Sequence, residues 1–143
     1  MRNFADQTLR VGDDVLCQFT VAQCNVVWGA PAKEILPIVD ACEPDITISF
    51  GEARNDFRIE TVARCERSNR LDNESLLPFR SKIVEEVDDD YGCCFDADRV
   101  AQTIADEQPE LPLVLSSQAG QYLCDEMFFT LGSIRLFPCL LLS

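Results

Sequence analysis

The sequence of 143 residues contains no histidine, and this absence removes more chemistry than any other feature of its composition. Without an imidazole, no side chain titrates near neutrality by default, so a histidine general base is not available from within the chain. A zinc centre would have to be assembled from thiolates or carboxylates, and no CxxC pair is present to begin one. No metal site and no cofactor are therefore expected. Cations are scarce as well. Twelve Lys and Arg stand against 25 Asp and Glu, a net charge of −13. A chain so acidic has no cationic footprint for nucleic acid and no attraction to an anionic membrane surface. Long apolar runs are missing too, so no bilayer span is expected, and "MRNFADQTLRVGDD" lacks the apolar core of a signal peptide. The expected compartment is the cytoplasm.

What is present fits one globular domain over residues 1–143. Apolar residues make up 47% and charged residues 26%, and a chain of this length buries about two thirds of its unfolded surface. The acidity itself speaks first to solubility. Eight cysteines are numerous, but they do not fall into the pattern of a disulfide-stapled small domain. Cys93 and Cys94 are adjacent. Cys17, Cys24, Cys42 and Cys65 lie within or beside apolar segments, where a free thiol behaves as a small hydrophobe.

Two periods alternate along the chain. "VLCQFTVAQCNVVW" (15–28) is rich in Val, Phe and Thr and reads as one long strand or two short ones. "GAPAKEILPIVDACEPD" follows, with Pro31 at a first helical position and Ile35, Ile38, Val39 and Cys42 as a stripe. Pro37 predicts a kinked or short helix, and Pro44 ends it. "ITISF" (46–50) predicts a short buried parallel strand ending at Gly51, and "FRIETVA" (57–63) another strand. Residues 64–95 are polar and acidic and read as loop with at most one short element. Asp96 or Asp98 caps a predicted helix that carries Val100 and Ile104 and stops at Pro109. "LPLVLSS" (111–117) predicts the last clear strand and "QAGQYLCDEMFFTL" the last clear helix. Strands and helices alternating in this order predict a three-layer α/β fold, a mostly parallel sheet with helices on both faces.

The last strand–helix junction carries the chemistry. With the helix beginning near Ala119 or Gly120, Cys124 lies about one turn inside it. There the free backbone N–H groups and the positive end of the helix dipole favour a thiolate. Equally, a cysteine on an apolar stripe is an ordinary core residue.

"AGQYLCD" (119–125) resembles the active-site signature of the pyroglutamyl-peptidase I family of cysteine peptidases, AG-x-Y/F-x-C-N. A second block agrees in order and spacing. "FGEARND" is similar to the family's G-Q-A-G-G-R, "FRIETVARC" to I-x-I-E-R-V-A-x-N, and "NRLDNE" to D-x-R-I-P-D-N. The similarity covers most of residues 15–131. It implies hydrolysis of an N-terminal pyroglutamyl residue from a peptide through an acyl-enzyme. Cys124 would be the nucleophile and Glu60 the acidic partner of a base. Gly51, Glu52, Ala53, Arg70 and Leu123 would border the substrate. A homo-oligomer is a further expectation from the resemblance.

Three departures accompany the likeness. The family's histidine is absent, and its usual stretch corresponds to "GSIRLFP", with Arg135, which cannot accept a proton. The family's N-terminal aromatic motif is missing. Asp125 replaces the usual Asn and sets a negative charge beside the thiol. Peptidase activity is therefore expected to be weak or absent, and a non-catalytic binding or scaffolding domain is the alternative. A third reading is an unrelated α/β protein using its thiols for redox or metal work. The segment "LFPCLLLS" reads as a hydrophobic end, either buried in a partner or marking an abrupt gene boundary, as in a chain truncated at both ends.

Overall fold

A computed structural model describes residues 8–11, 15–52, 57–135 and 139–142. At its centre are four short strands in the order β3 (Thr47–Phe50), β8 (Cys139–Leu142), β4 (Phe57–Glu60) and β7 (Leu113–Ser116). β3 runs parallel to β8 and β4 parallel to β7, while β8 and β4 meet antiparallel. Two of the three pairings are parallel, as the alternation of elements predicts. Beside this sheet lie two small antiparallel pairs, β1 (Thr8–Val11) with β2 (Val15–Gln18), and β5 (Val62–Ala63) with β6 (Tyr91–Gly92).

Alternation along the central strands places helices on both faces. Ile59 and Leu142 are cross-strand partners, and both pack in a cluster with Ala97, Val100 and Ile104 of α2 (Ala97–Glu107). One residue along, Glu60 and Leu141 are partners on the opposite face, because successive strand residues point to opposite sides. There Leu141 packs with Phe128, Phe129 and Leu131 of α3 (Leu123–Arg135) and with Ile35 and Val39. Phe128 and Phe129 are fully buried, and each contributes about 1.5–3 kcal/mol by leaving water.

Several local expectations hold. Asp96 caps α2, its side chain accepting from the Arg99 N–H at 3.0 Å. Residues 64–90 form no helix or strand, apart from one isolated bridge between Glu66 and Lys82. Pro37 leaves its mark one turn early. It has no N–H to donate, and the Leu36 N–H instead reaches back to the Pro31 carbonyl. Pro31–Ile35 is thus a π-type turn that runs into α1 (Leu36–Cys42), which ends at a left-handed Glu43. The expected apolar stripe is correspondingly halved, with Ile35 and Val39 buried but Ile38 and Cys42 exposed.

Other expectations are corrected. Of the 15–28 run only Val15–Gln18 is strand. Further on, the backbone N–H and side-chain amide of Asn25 are both committed to the Glu34 carboxylate, at 3.0 and 2.9 Å, and not to a neighbouring strand. β3 is parallel but not buried, since it has one neighbour and α2 packs over β7. Ile48 and Phe50 are 50% and 74% exposed. The 57–63 run breaks at Thr61, whose N–H and hydroxyl both donate to the Ser116 carbonyl, at 2.7 and 3.1 Å. The end read as a surface for a partner is instead β8, an interior strand whose Leu141 is 1% exposed. Among the described residues no helix is long and apolar enough to cross a membrane.

Candidate active site

β7 ends at Ser116, and the chain turns through Gly120 (φ +91°) and Gln121 (φ +53°) before α3 starts at Leu123. Two successive left-handed residues cannot continue a right-handed helix, so α3 begins later than its apolar pattern predicts. Cys124 is thereby the second residue of the helix, not one turn inside it.

Asp125 fixes this turn. Fully buried, its carboxylate accepts from the Arg64 N–H at 3.0 Å and from the Gln121 N–H. An asparagine could accept through only one of its two side-chain termini, so the aspartate closes both sides of the junction between β5 and the helix entrance. Burial pushes its carboxyl above the usual aspartate value, against the two amides that hold it down.

Cys124 is half-buried and belongs to the packing around Phe128 and Leu141. Glu60, 2% exposed at the end of β4, lies on the same side of the sheet, and its charge reaches the thiol. Burial is the main influence on Cys124, followed by the charges of Asp125 and Glu60. All three push the thiol above its ordinary value of 9.0. The helix entrance that would favour a thiolate is therefore outweighed by desolvation and two carboxylates.

The remaining predicted residues are dispersed. Leu123 is buried beside the thiol. Arg70 is exposed, its guanidinium 4.6 Å above the Tyr122 ring, while the Arg70 carbonyl accepts from the Trp28 indole at 3.0 Å. Trp28 and Tyr122 meet edge to face at 5.3 Å. Gly51 donates to the Leu142 carbonyl at 2.8 Å. Because β3 runs opposite to β4 and β7, Gly51 and the exposed Glu52 leave the sheet at the end away from Glu60 and the turn into Cys124. Ala53 lies outside the described residues. Arg135 is the last residue of α3, about 16 Å along the axis from Cys124 at 1.5 Å per residue.

A cleft of about 520 Å³ opens against the turn, lined by Gln118, Gly120 and Gln121 on one side and Arg64, Glu66 and Asp90 on the other. Among the described residues no three His, Cys, Asp or Glu side chains converge to hold a metal ion, and the described cysteines are free thiols.

Glu126, which the sequence reading passes over, is nearly fully buried and anchors the same helix entrance. It pairs with Arg67 at 2.6 Å and accepts from the Gly29 N–H at 3.1 Å. Two adjacent acids ahead of an apolar helix were the available signal, since acids favour a first turn. Leu141 is likewise unforeseen.

A two-faced α/β sheet with a cysteine at the entrance to the helix after β7 has the fold of the pyroglutamyl peptidases. No family model matches the chain. Over 119 residues it is 25% identical to the pyrrolidone-carboxylate peptidase of Brevibacillus brevis, covering 81% of this chain and 54% of that protein. Pyroglutamyl peptidase I of Bacillus amyloliquefaciens superposes with a TM-score of 0.77 at 22% identity, over 87% of this chain and 64% of that one. A mutant pyrrolidone carboxyl peptidase of Pyrococcus furiosus gives 0.80 at 21% identity, over 96% and 67%. The chain thus resembles these peptidases in sequence and shares their fold, and it spans about half the length of the curated relative it matches.

Proposed function

We propose that this chain is a peptidase-type domain for peptides with an N-terminal pyroglutamyl residue, working in the cytoplasm, whose own turnover at neutral pH is weak or nil. Cys124 holds the position of the nucleophile and Glu60 that of the acidic partner. Leu123 and Arg70 border the substrate side. Gly51, Glu52 and Ala53 keep a substrate role only by resemblance, and so does a homo-oligomeric state.

The observation that carries this reading is the setting of the thiol. Cys124 is desolvated and faces two carboxylates, in a chain without histidine. A thiol at or above 9.0 is no more than about 1% thiolate at pH 7. A carboxylate is a far weaker base than a thiolate, so it is a poor acceptor for this thiol's proton. The leaving amine also needs a proton, and acid–base assistance of this kind is worth roughly 10²–10⁴-fold. Backbone N–H groups at the helix entrance remain available to a developing oxyanion. Electrostatic stabilisation is thus present while proton transfer is not.

The test is release of a coumarin fluorophore from its pyroglutamyl amide by the purified chain and by Cys124→Ser. No difference between the two at pH 7 is expected. Turnover at neutral pH that vanishes in Cys124→Ser overturns the weak-or-nil reading.

A further inference from the structure

On the other side of α3 lies a second cleft, of about 340 Å³. Glu126 stands two residues beyond Cys124, and two residues turn an α-helix by about 200°, so Arg67, which lines this cleft and pairs with Glu126, meets α3 on a side turned away from the thiol. Four cations line the cleft, Lys33, Arg67, Arg80 and Lys82, with Glu85 the one acid among its lining residues. A third of the chain's twelve cationic side chains thus converge on one hollow of a molecule with a net charge of −13. Three of the four already have an acidic partner, Arg67 with Glu126, Arg80 with Glu85 and Lys82 with Asp88, so the cations left to draw an anion are Lys33 and the exposed, loosely paired Arg80.

The cations differ in how firmly they are held. Arg67 is 12% exposed and is fixed by Glu126 and by the carbonyls of Arg80 and Lys82. Its Nε is buried and has no hydrogen-bond partner among the described residues, a state that costs stability unless something fills it. Arg80 pairs with Glu85 at 3.3 Å, but both side chains are about 60% exposed, and a water-screened pair of this kind is weak and readily exchanged. Lys33 makes no ion pair among the described residues. Apolar walls complete the site. Trp28 and Phe79 line it with Ile83, and Phe79 is 93% exposed although it stands beside Arg80. A bare aromatic ring next to cations fits a ligand with an apolar body and a charged end.

We propose that this cleft binds a small organic anion, a carboxylate or phosphate on an aromatic or apolar body. The charged end meets Lys33 and Arg80, and the body lies against Trp28 and Phe79. The site is independent of Cys124 and of the peptidase reading.

Trp28 is the chain's single tryptophan and reports the site directly. Its emission is titrated with phenyl phosphate, 3-phenylpropionate, inorganic phosphate and uncharged benzyl alcohol, in the native chain and in the double variant Lys33→Gln/Arg80→Gln. Both substituted residues are exposed, and circular dichroism checks that the fold is kept. A saturable change is expected with the two organic anions, weakened about tenfold or more in the double variant, as loss of charge-assisted contacts implies. The stronger of the two identifies phosphate or carboxylate as the preferred end. Inorganic phosphate is expected to compete without matching their affinity. No saturable response to either organic anion at millimolar concentration overturns the proposal, as does an equal response to benzyl alcohol or an unchanged affinity in the double variant.

Discussion

Glu60 on β4 and Leu141 on β8 are cross-strand partners on the face of the sheet that α3 covers, and both are almost fully buried. Directly opposed residues hold their Cβ atoms about 4.5–5.5 Å apart. Leu141 also packs in the cluster that contains Cys124. A carboxylate, an aliphatic side chain and a thiol therefore share one buried corner. Leu141 is therefore the position in this corner at which to introduce a proton acceptor.

Leu141→His is accordingly expected to create Cys124-dependent hydrolysis of a pyroglutamyl amide at pH 7–8. An imidazole there has Glu60 beside it to orient its ring, and the gain is expected within the roughly 10²–10⁴-fold range of acid–base assistance. Losing the buried leucine costs about 2–5 kcal/mol of stability, so the rate is measured alongside circular dichroism at a temperature where the variant is folded. A folded Leu141→His with no rate above Leu141→His/Cys124→Ser shows that the three side chains are not within reach of one another.

The pH dependence of thiol labelling tests the electrostatics of the same corner. Cys124 is raised above 9.0, first by burial and then by Asp125 and Glu60, so its alkylation by iodoacetamide is expected to be slow at pH 7 and to climb only beyond pH 9. Removing one negative charge in Glu60→Gln favours the thiolate, moves the profile to lower pH and speeds labelling at a fixed pH 8. The linked effect on stability has a definite sign. A group raised in the native state holds its proton more tightly there than in the unfolded chain, so the fold weakens as pH climbs through the native value. Cys24, pushed up to about 11 by burial and by Glu34, adds to this loss. Chemical denaturation at pH 8 and pH 10.5 is expected to show a clear fall, and equal stabilities would contradict the raised thiols.

Gly132, buried in the last turn of α3, tests the packing behind the site. A methyl group there would overlap the ring of Tyr91, and that ring is fixed edge to face against Phe128 at 5.5 Å. Gly132→Ala is expected to destabilise by about 1–3 kcal/mol, the usual cost of overpacking, even though alanine is the better helix former. Pairing it with Tyr91→Ala should recover part of that loss. A Gly132→Ala variant as stable as the parent would mean that Tyr91 packs elsewhere.

The sequence revealed what depends on local periodicity and capping. Asp96, Val100 and Ile104 announced α2, and the apolar run 111–117 announced β7, because each pattern is short-range and unopposed. The resemblance around "AGQYLCD" named Cys124 and that around "FRIETVARC" named Glu60, and the strand register turns Glu60 to the face of the sheet that α3 covers. Legibility failed where tertiary pairing decides. "CLLL" has no alternation to declare it an interior strand, and only β3 and β4 on either side make it one. The later start of α3 depends on left-handed geometry at Gly120 and Gln121, of which only the glycine is visible beforehand. The buried roles of Glu126 and Arg67 required knowing that residues 59 positions apart would meet.

β3 and β4 are neighbours in sequence yet do not touch in the sheet, because β8 is inserted between them. The sheet therefore cannot close while residues 139–142 are still being synthesised. Until then a nascent chain has β3 as a lone strand and β4 paired only with β7, with Ile59 lacking its partner Leu142. Such unfinished edges invite pairing with other chains, and connections this distant in sequence form slowly. Protection of these edges before β8 arrives thus becomes as relevant to the yield of this protein as its final stability.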